Sequence, residues 1–461
     1  VLKVEILTTR IERVGIWPQE SESRMLSQPQ SPSLHEIDTP KEVRASFSAY
    51  CALLALAAAN MLCAGDRMIM SVLIQPIKAD LGLSDTQMGV ISGLAFAIFN
   101  GIALIPIGML ADRHSRKKLI AICLFLWSGM TALGSQANSF VHLLLIRIGV
   151  GVGEAGSGPI AISMISDLFP PAQRARAISL FFISAPFGTL ITAAGGSWIA
   201  QHYGWRTALL AAGLPGIALA GLLWLTVRDP RRGAFDKAKS GSALPLTTVV
   251  RTIMRQRALL HTMLGIALTS FVISGVGTWA VTFLTRSHGF SLATAGALSA
   301  ISSLAGMAGA FSGGQVSDRF SNGDIRWCAW TSAAGAGLAV LPLIGFLLFD
   351  NAMAAVACLA GYAFFSALYM GPGYSLIQTI IAPRARATAN SFTYLLSSAF
   401  GFGLGPLAAG ALSDHFAWAG SDALRYGLIV VGTALIWSAF HFYRAAKTAL
   451  DDLAITNADA A

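Results

Sequence analysis

Two short stretches decide how this chain is read: Gly108-Met-Leu-Ala-Asp112-Arg113-His-Ser-Arg116-Lys117 and, further on, Gly314-Gln-Val-Ser-Asp318-Arg319. Each closes a long apolar run with a small polar turn. A second phrase is also duplicated, Arg174-Ala-Arg176-Ala and Arg384-Ala-Arg386-Ala, each copy standing ahead of a further apolar run. Repetition at corresponding places is the mark of a chain built twice from one structural pattern.

Around these turns lie twelve apolar runs, at about 47–73, 86–111, 118–137, 140–168, 177–200, 207–227, 259–284, 292–317, 327–349, 352–381, 388–412 and 424–444. Each is close to the ~20 helical residues that cross a hydrocarbon layer. The break between the sixth and seventh divides them six and six. The expected fold is therefore an all-α polytopic membrane protein of two pseudo-symmetric six-helix bundles. Its parts are a disordered cytoplasmic tail (1–45), a first bundle (46–227), a cytoplasmic linker (228–258), a second bundle (259–445) and a cytoplasmic tail (446–461).

Composition agrees. The 461 residues are 54% hydrophobic and only 12% charged, with mean hydropathy +0.63, against roughly 25% charged in a soluble domain. The 46 glycines suit closely packed membrane helices. A net charge of +9 would suggest nucleic acid in a soluble protein. Here the Lys and Arg gather in the connections on one side of the spans, leaving Lys78, Arg206, Arg286 and Arg425 on the other. That asymmetry is an orientation signal, placing both termini and the linker in the cytoplasm; no nucleic-acid partner is expected. The five cysteines (Cys51, Cys63, Cys123, Cys328, Cys358) form no CxxC pair and read as free packing thiols, with no metal site. GxxxxGK[ST], HExxH and GxSxG are all absent, so a nucleotide-driven pump or a hydrolase has no motif to stand on.

The turn Gly108-x-x-x-Asp112-Arg113-x-x-Arg116-Lys117 resembles the loop signature of the major facilitator superfamily, with Gly314, Asp318 and Arg319 as its mirror copy. The resemblance implies a cytoplasmic gate: the glycine permits close helix approach, Asp112 caps or pairs with a neighbouring helix end, and the cations pair with an acid at the membrane surface. Asp167, at the end of the fourth run, is the expected partner of Arg116.

Four ionisable residues lie inside spans: Asp66 and Arg67 in the first, Arg147 and Glu154 in the fourth. Charges within a bilayer are costly unless paired or wet, and default to a functional reading. Asp66 and Arg147 lie at matching depth, about seven residues or ~10 Å from the ends of their runs, and are expected to pair. Glu154, two turns deeper and near mid-membrane, is the expected proton-coupling acid, with Asp66 beside it. Arg67 points ~100° away from Asp66, toward either Glu154 or an anionic head group. The alternative is a static salt-bridge cluster that fixes packing. Arg147-x-Gly-x-Gly-x-Gly153, followed by Gly156 and Pro159, describes a helix that packs closely and can bend.

Asn60-x5-Asp66-Arg67, Arg147-x6-Glu154-Ala155, Asp167-Leu-Phe169 and Arg228-Asp-Pro-Arg-Arg-Gly233 together are similar to the spinster-type branch of that superfamily. Cys63 and Ala64 replace the asparagine and tyrosine that often precede the Asp-Arg pair. The branch implies lysophospholipid or sphingolipid-phosphate substrates, with proton coupling in some members. Ala185-Pro186-Phe-Gly188 and Gly195-Gly196 match the helix-five pattern of drug antiporters only in part.

The expected substrate contacts are Arg67, Arg147 and Asn60 in the first half and Trp279, Phe283, Tyr369 and Asn390 in the second. The reading is a proton-coupled secondary transporter of an amphipathic molecule, without an organic or metal cofactor, monomeric, in a bacterial inner membrane. An organic-anion symporter using Arg67 or Arg147 and a non-transporting receptor or scaffold are the alternatives.

Overall fold

The computed structural model describes residues 46–231, 246–321, 323–382 and 385–460. The tail 1–45 and linker residues 232–245 lie outside them. Among the described residues the chain is helical, without strands. Eleven helices are long and apolar enough to cross a membrane. One of these, Arg176–Thr226, has 51 residues, ~75 Å at 1.5 Å per residue, more than twice a ~30 Å hydrocarbon core. It breaks at Gly204, where φ is +84°, a left-handed value that glycine adopts without a Cβ clash. The run is thus helices five and six, which makes twelve spans among the described residues.

Helices one to four are Phe47–Leu81, Asp85–Arg113, Arg116–Gln136 and Phe140–Leu168. After a linker helix, Leu246–Arg255, helices seven to ten are Arg257–His288, Leu292–Ser321, Arg326–Leu348 and Ala352–Ile380. Helix eleven is Thr388–His415, and helix twelve comprises Ala423–Gly432 and Ala434–Ala460. The segment 446–461, expected as a tail, instead continues helix twelve through residue 460. It is held there by Asp452, whose Oδ2 accepts from the Ala258 N–H at 2.7 Å, capping helix seven. The inner repeat shows at helix ends as well as in sequence. Helices one and seven both stop at a left-handed glycine, Gly82 (φ 64°) and Gly289 (φ 66°).

Helix four is interrupted between Phe140–Glu154 and Ser157–Leu168. Pro159 lacks the N–H that would bond the Ala155 carbonyl and its ring crowds that carbonyl, so the helix yields at Ala155-Gly156. Glu154 is the last residue before the break.

Three apolar cores define how the halves meet. One spans both halves, joining Ile69, Leu73 and Ile77 of helix one to Trp279, Phe283 and Leu284 of helix seven. The other two are confined to single halves: Leu56, Trp127, Ile165 and Phe181 in the first, Leu259, Ile266, Leu376 and Phe442 in the second. The shared core lies at the end away from the Asp112 and Asp318 turns, and the separate cores lie toward them. The halves are therefore joined at one end and apart at the basic end.

Two seams close the joined end. In one, helices two and eleven both widen into π turns, Val90–Leu94 and Ser398–Leu404. A Cβ on Gly93 would come within 2.7 Å of the Phe402 carbonyl oxygen, so only glycine permits this approach. In the other, helix eight meets the π turn Thr192–Gly196 of helix five, and a Cβ on Gly296 would sit 2.3 Å from the Ala193 oxygen.

Candidate substrate and proton site

Helix one brings Cys63, Asp66 and Arg67 against helix four, and i, i+4 spacing sets Cys63 and Arg67 on one face. The Arg67 Nε donates to Glu154 Oε2 at 2.8 Å. The Cys63 thiol donates to the same oxygen at 3.2 Å while its sulfur accepts from Arg67 Nη2 at 3.4 Å. Beside this triangle, Arg147 Nη1 donates to Asp66 Oδ2 at 3.3 Å, and the Thr131 hydroxyl of helix three donates to Asp66 Oδ1. The pairs differ in exposure. Asp66 and Arg147 are 4% and 3% exposed, whereas Arg67 is 32% exposed against a fully covered Glu154. One pair is sealed, and the other presents its cation to open space.

That space is a cavity of about 370 Å³ between the halves. Arg67, Arg147, Ser71, Ser92 and Phe96 line it from the first half, and Ser274, Thr278, Ser299 and Phe402 from the second. The Phe96 face lies 5.2 Å from the Arg67 guanidinium and 5.3 Å from that of Arg147, and Phe402 closes on Arg67 at 5.7 Å. Cation–π contact of this kind holds a guanidinium where water is scarce. A second cavity of about 420 Å³, mostly apolar, continues into the second half and shares Thr189, Ile273, Gly277, Ser299 and Ser303 with the first.

Two polar atoms of the tetrad, Glu154 Oε1 and Arg147 Nε, are buried with no hydrogen-bond partner. Buried polar atoms are nearly always satisfied, so each exception calls for a functional account.

The other expected contacts fall elsewhere. Asn60 donates to the Phe181 carbonyl and the Ser184 hydroxyl at 3.1 and 3.0 Å, tying helix one to helix five. Trp279 is fully buried with Nε1 on the Pro406 carbonyl at 3.0 Å. Phe283 packs edge-on against Phe346. Tyr369 sits at the break of helix ten with its hydroxyl 3.3 Å from Ser270. Asn390 is half-buried with Oδ1 unpartnered. None of the five lines the central cavity. Residue type alone does not say which face of a helix an aromatic occupies.

At the basic end, Arg116 is buried, 2.6 Å from Asp167 Oδ2, with Nη1 on Ser163 and Nη2 on the Pro230 carbonyl. The pair joins helices three and four, and the same guanidinium ties them to Pro230 just after helix six. Asp112, Arg113, Asp318 and Arg319 are exposed, and a Cβ on Gly108 or Gly314 would meet nothing within 4 Å. The close approach expected at Gly108 is not made in this conformation, because the halves stand apart there.

The joined end holds a lock that the sequence reading missed. Asp85 receives Arg286 Nη1 and Nη2 at 2.7 and 2.8 Å and the Ser413 hydroxyl at 2.7 Å, with Lys78 on the same carboxylate. Asp414 returns the favour across the seam, accepting from Thr86 N at 2.7 Å. Charges in loops were counted only for orientation, yet Asp85 and Arg286 bind one half to the other.

Comparison with known proteins fits this architecture. The Major Facilitator Superfamily model matches residues 56–406, and the chain belongs to that superfamily: it is a transporter, not an enzyme. An "MFS-type efflux pump" of Mycolicibacterium smegmatis is 32% identical over 82% of this chain and 90% of that protein. Human "Protein spinster homolog 1" is 29% identical over 77% of this chain and 71% of that one. A crystal structure of a bacterial homolog of the human lysosomal transporter spinster, inward-facing and unoccupied, superposes with a TM-score of 0.81 at 29% identity, covering 88% of this chain and 99% of that one. Within the superfamily the chain falls in the spinster-like branch.

Proposed function

We propose that this protein is a proton-coupled transporter that moves an amphipathic molecule with an anionic head by alternating access. The observation that carries the reading is the Arg67–Glu154 pair at the cavity wall, with one Glu154 oxygen buried and unpartnered. The four charges sum to zero. When Glu154 takes a proton the centre is left net positive, Arg67 loses its counter-ion, and an anionic head group supplies the missing charge. Proton and anion then load together, and neither is stable at the site alone.

The joined cavities support an amphipathic body. Arg67 faces the 370 Å³ part, and the adjoining 420 Å³ is lined mainly by apolar side chains of helices seven, eight and ten. A small organic acid would use the first and leave the second unfilled. The asymmetry of Lys and Arg supports a cytoplasmic basic end, read here as that of a bacterial inner membrane; in that orientation the halves are open inward and locked outward by Asp85–Arg286. Rocking the halves would part that lock and bring together the turns at Asp112 and Asp318, the cytoplasmic gate. The protein works as a monomer in this reading, since each half supplies the other's wall.

Uptake of labelled lysophospholipids and organic anions into proteoliposomes under an imposed pH gradient tests it. Accumulation should follow the gradient in the wild type. Glu154→Gln should abolish that dependence while substrate exchange without a gradient persists. Wild-type pH dependence in the variant would overturn the assignment.

A further inference from the structure

A cavity of about 690 Å³ opens on the flank of the second half at the basic end, apart from the central cavity. Its lining changes character with depth. At the mouth stands Arg326, whose Nε and Nη2 are held by Asp324 at 2.7 to 3.0 Å, leaving Nη1 without a protein partner among the described residues. Arg326 keeps the Asp324 carboxyl below the usual carboxylate range, so the clamp stays ionised. Trp330, one turn below Arg326, lines the cavity and carries the Lys447 ammonium of helix twelve over its ring at 5.8 Å. Trp327, stacked on Phe320 at 5.2 Å, completes an aromatic rim.

Five residues below Arg326, roughly 7.5 Å at 1.5 Å per residue, Thr331 lines this space with its hydroxyl buried just behind the wall. Thr331 is 5% exposed and its oxygen has no hydrogen-bond partner. Deeper still the wall is apolar, Ala334, Leu338 and Leu368. Leu338 lies roughly 18 Å from Arg326 along the helix, close to the depth of one leaflet's hydrocarbon.

We propose that this crevice binds one glycerophospholipid from the leaflet at the basic end. The phosphate meets Arg326, an ester carbonyl accepts from Thr331 once its side chain turns to the second rotamer a helical threonine allows, and an acyl chain lies along Ala334, Leu338 and Leu368. A guanidinium at the surface, tryptophans at the interface and an apolar floor follow the polarity of a lipid from head to tail. The Thr331 hydroxyl selects a lipid over a plain hydrocarbon tail, because it needs an acceptor at that depth. The Arg326 guanidinium selects it over a neutral detergent.

Native mass spectrometry of the purified full chain, titrated with phosphatidylglycerol in a neutral detergent, tests the site. The wild type should retain one lipid. Arg326→Ala should weaken retention about tenfold and Thr331→Val about threefold, the losses expected for a charged and a neutral hydrogen bond. Phosphatidylglycerol with brominated chains should quench tryptophan fluorescence in the wild type and less in Trp330→Phe. Inorganic phosphate, which lacks the chain, should not compete. Should Arg326→Ala unfold the start of helix nine, Thr331→Val leaves the Asp324–Arg326 clamp in place and decides the matter. Equal retention in Thr331→Val and wild type, quenching indifferent to Trp330, or displacement by inorganic phosphate overturns the proposal.

Discussion

The first half buries four charges between helices one and four; among the described residues the second half, folded to the same plan, offers hydroxyls and rings at helices seven and ten. Counted from the matched helix ends, Gly82 with Gly289 and Leu168 with Ile380, Ile273, Ser274, Leu359 and Ser366 stand where the first half keeps Asp66, Arg67, Arg147 and Glu154, and all four line the two cavities. One pattern used twice has thus been given two jobs. The first half carries groups whose charge changes with protonation, and the second shapes the space around an uncharged body. Superfamily membership accounts for the shared frame but not for this asymmetry, which rests on side chains alone.

The severest way to break the comparison is to make the first half resemble the second by removing a charge. Asp66 and Arg147 are nearly covered, so Arg147→Ala leaves the Asp66 carboxylate without its cation while the Thr131 hydroxyl still donates to it. Loss of one member of a buried ion pair costs about 3–5 kcal/mol, and poor expression with a lowered melting temperature is expected. Exchanging the two, Asp66→Arg with Arg147→Asp, should recover folding relative to either single change. A double variant no better than the singles would show that the pair is not the stabilising unit, and that Arg147 serves Glu154 instead.

Arg67 comes next, because its 32% exposure places it in the cavity and outside the load-carrying core. Arg67→Ala should lower affinity for an anionic ligand tenfold or more, roughly the ~1.5–3 kcal/mol of a charged hydrogen bond, and should lower the melting temperature as well, because it leaves the covered Glu154 without its cation. Arg67→Lys should restore part of it, since an ammonium keeps the charge and loses the planar fork. Binding measured by tryptophan quenching at fixed pH reads this directly. Equal affinity in wild type and Arg67→Ala would remove the head-group role.

Much of this was legible in sequence for physical reasons. Twelve spans follow from the length of a helix that crosses hydrocarbon, and buried charges announce themselves because the bilayer makes them expensive. Asp66–Arg147 followed from matching depth along two helices. What was not legible depends on faces and on distant partners. Trp279, Phe283 and Tyr369 have the composition of a binding wall, yet rotation about each helix axis turns them into the core. Asp85 and Arg286 stand far apart in sequence, each in a region where charges ordinarily report orientation, and only the closed end of the fold brings them together. The break after Glu154 was foreshadowed by Gly156 and Pro159; the π turns at the two seams carried no sequence signal beyond their glycines.

The smallest expected effect separates the halves most finely. Cys63 looked like a packing thiol, but it donates to the Glu154 oxygen that also receives Arg67. A thiol is a weak donor, so Cys63 stabilises the Glu154 carboxylate slightly. Removing a hydrogen bond to the charged form favours the neutral one. Cys63→Ala should therefore alter the pH profile of uptake while leaving affinity at a fixed pH nearly unchanged. Thr278→Ala, on the cavity wall of the second half, removes a hydroxyl of similar size that touches no titrating group of the tetrad, and should change apparent affinity while leaving the midpoint in place. The two profiles measured side by side test the division directly. A midpoint that moves with Thr278 and not with Cys63 would mean that proton binding is governed from the cavity as a whole, and that the charged half holds no monopoly on it.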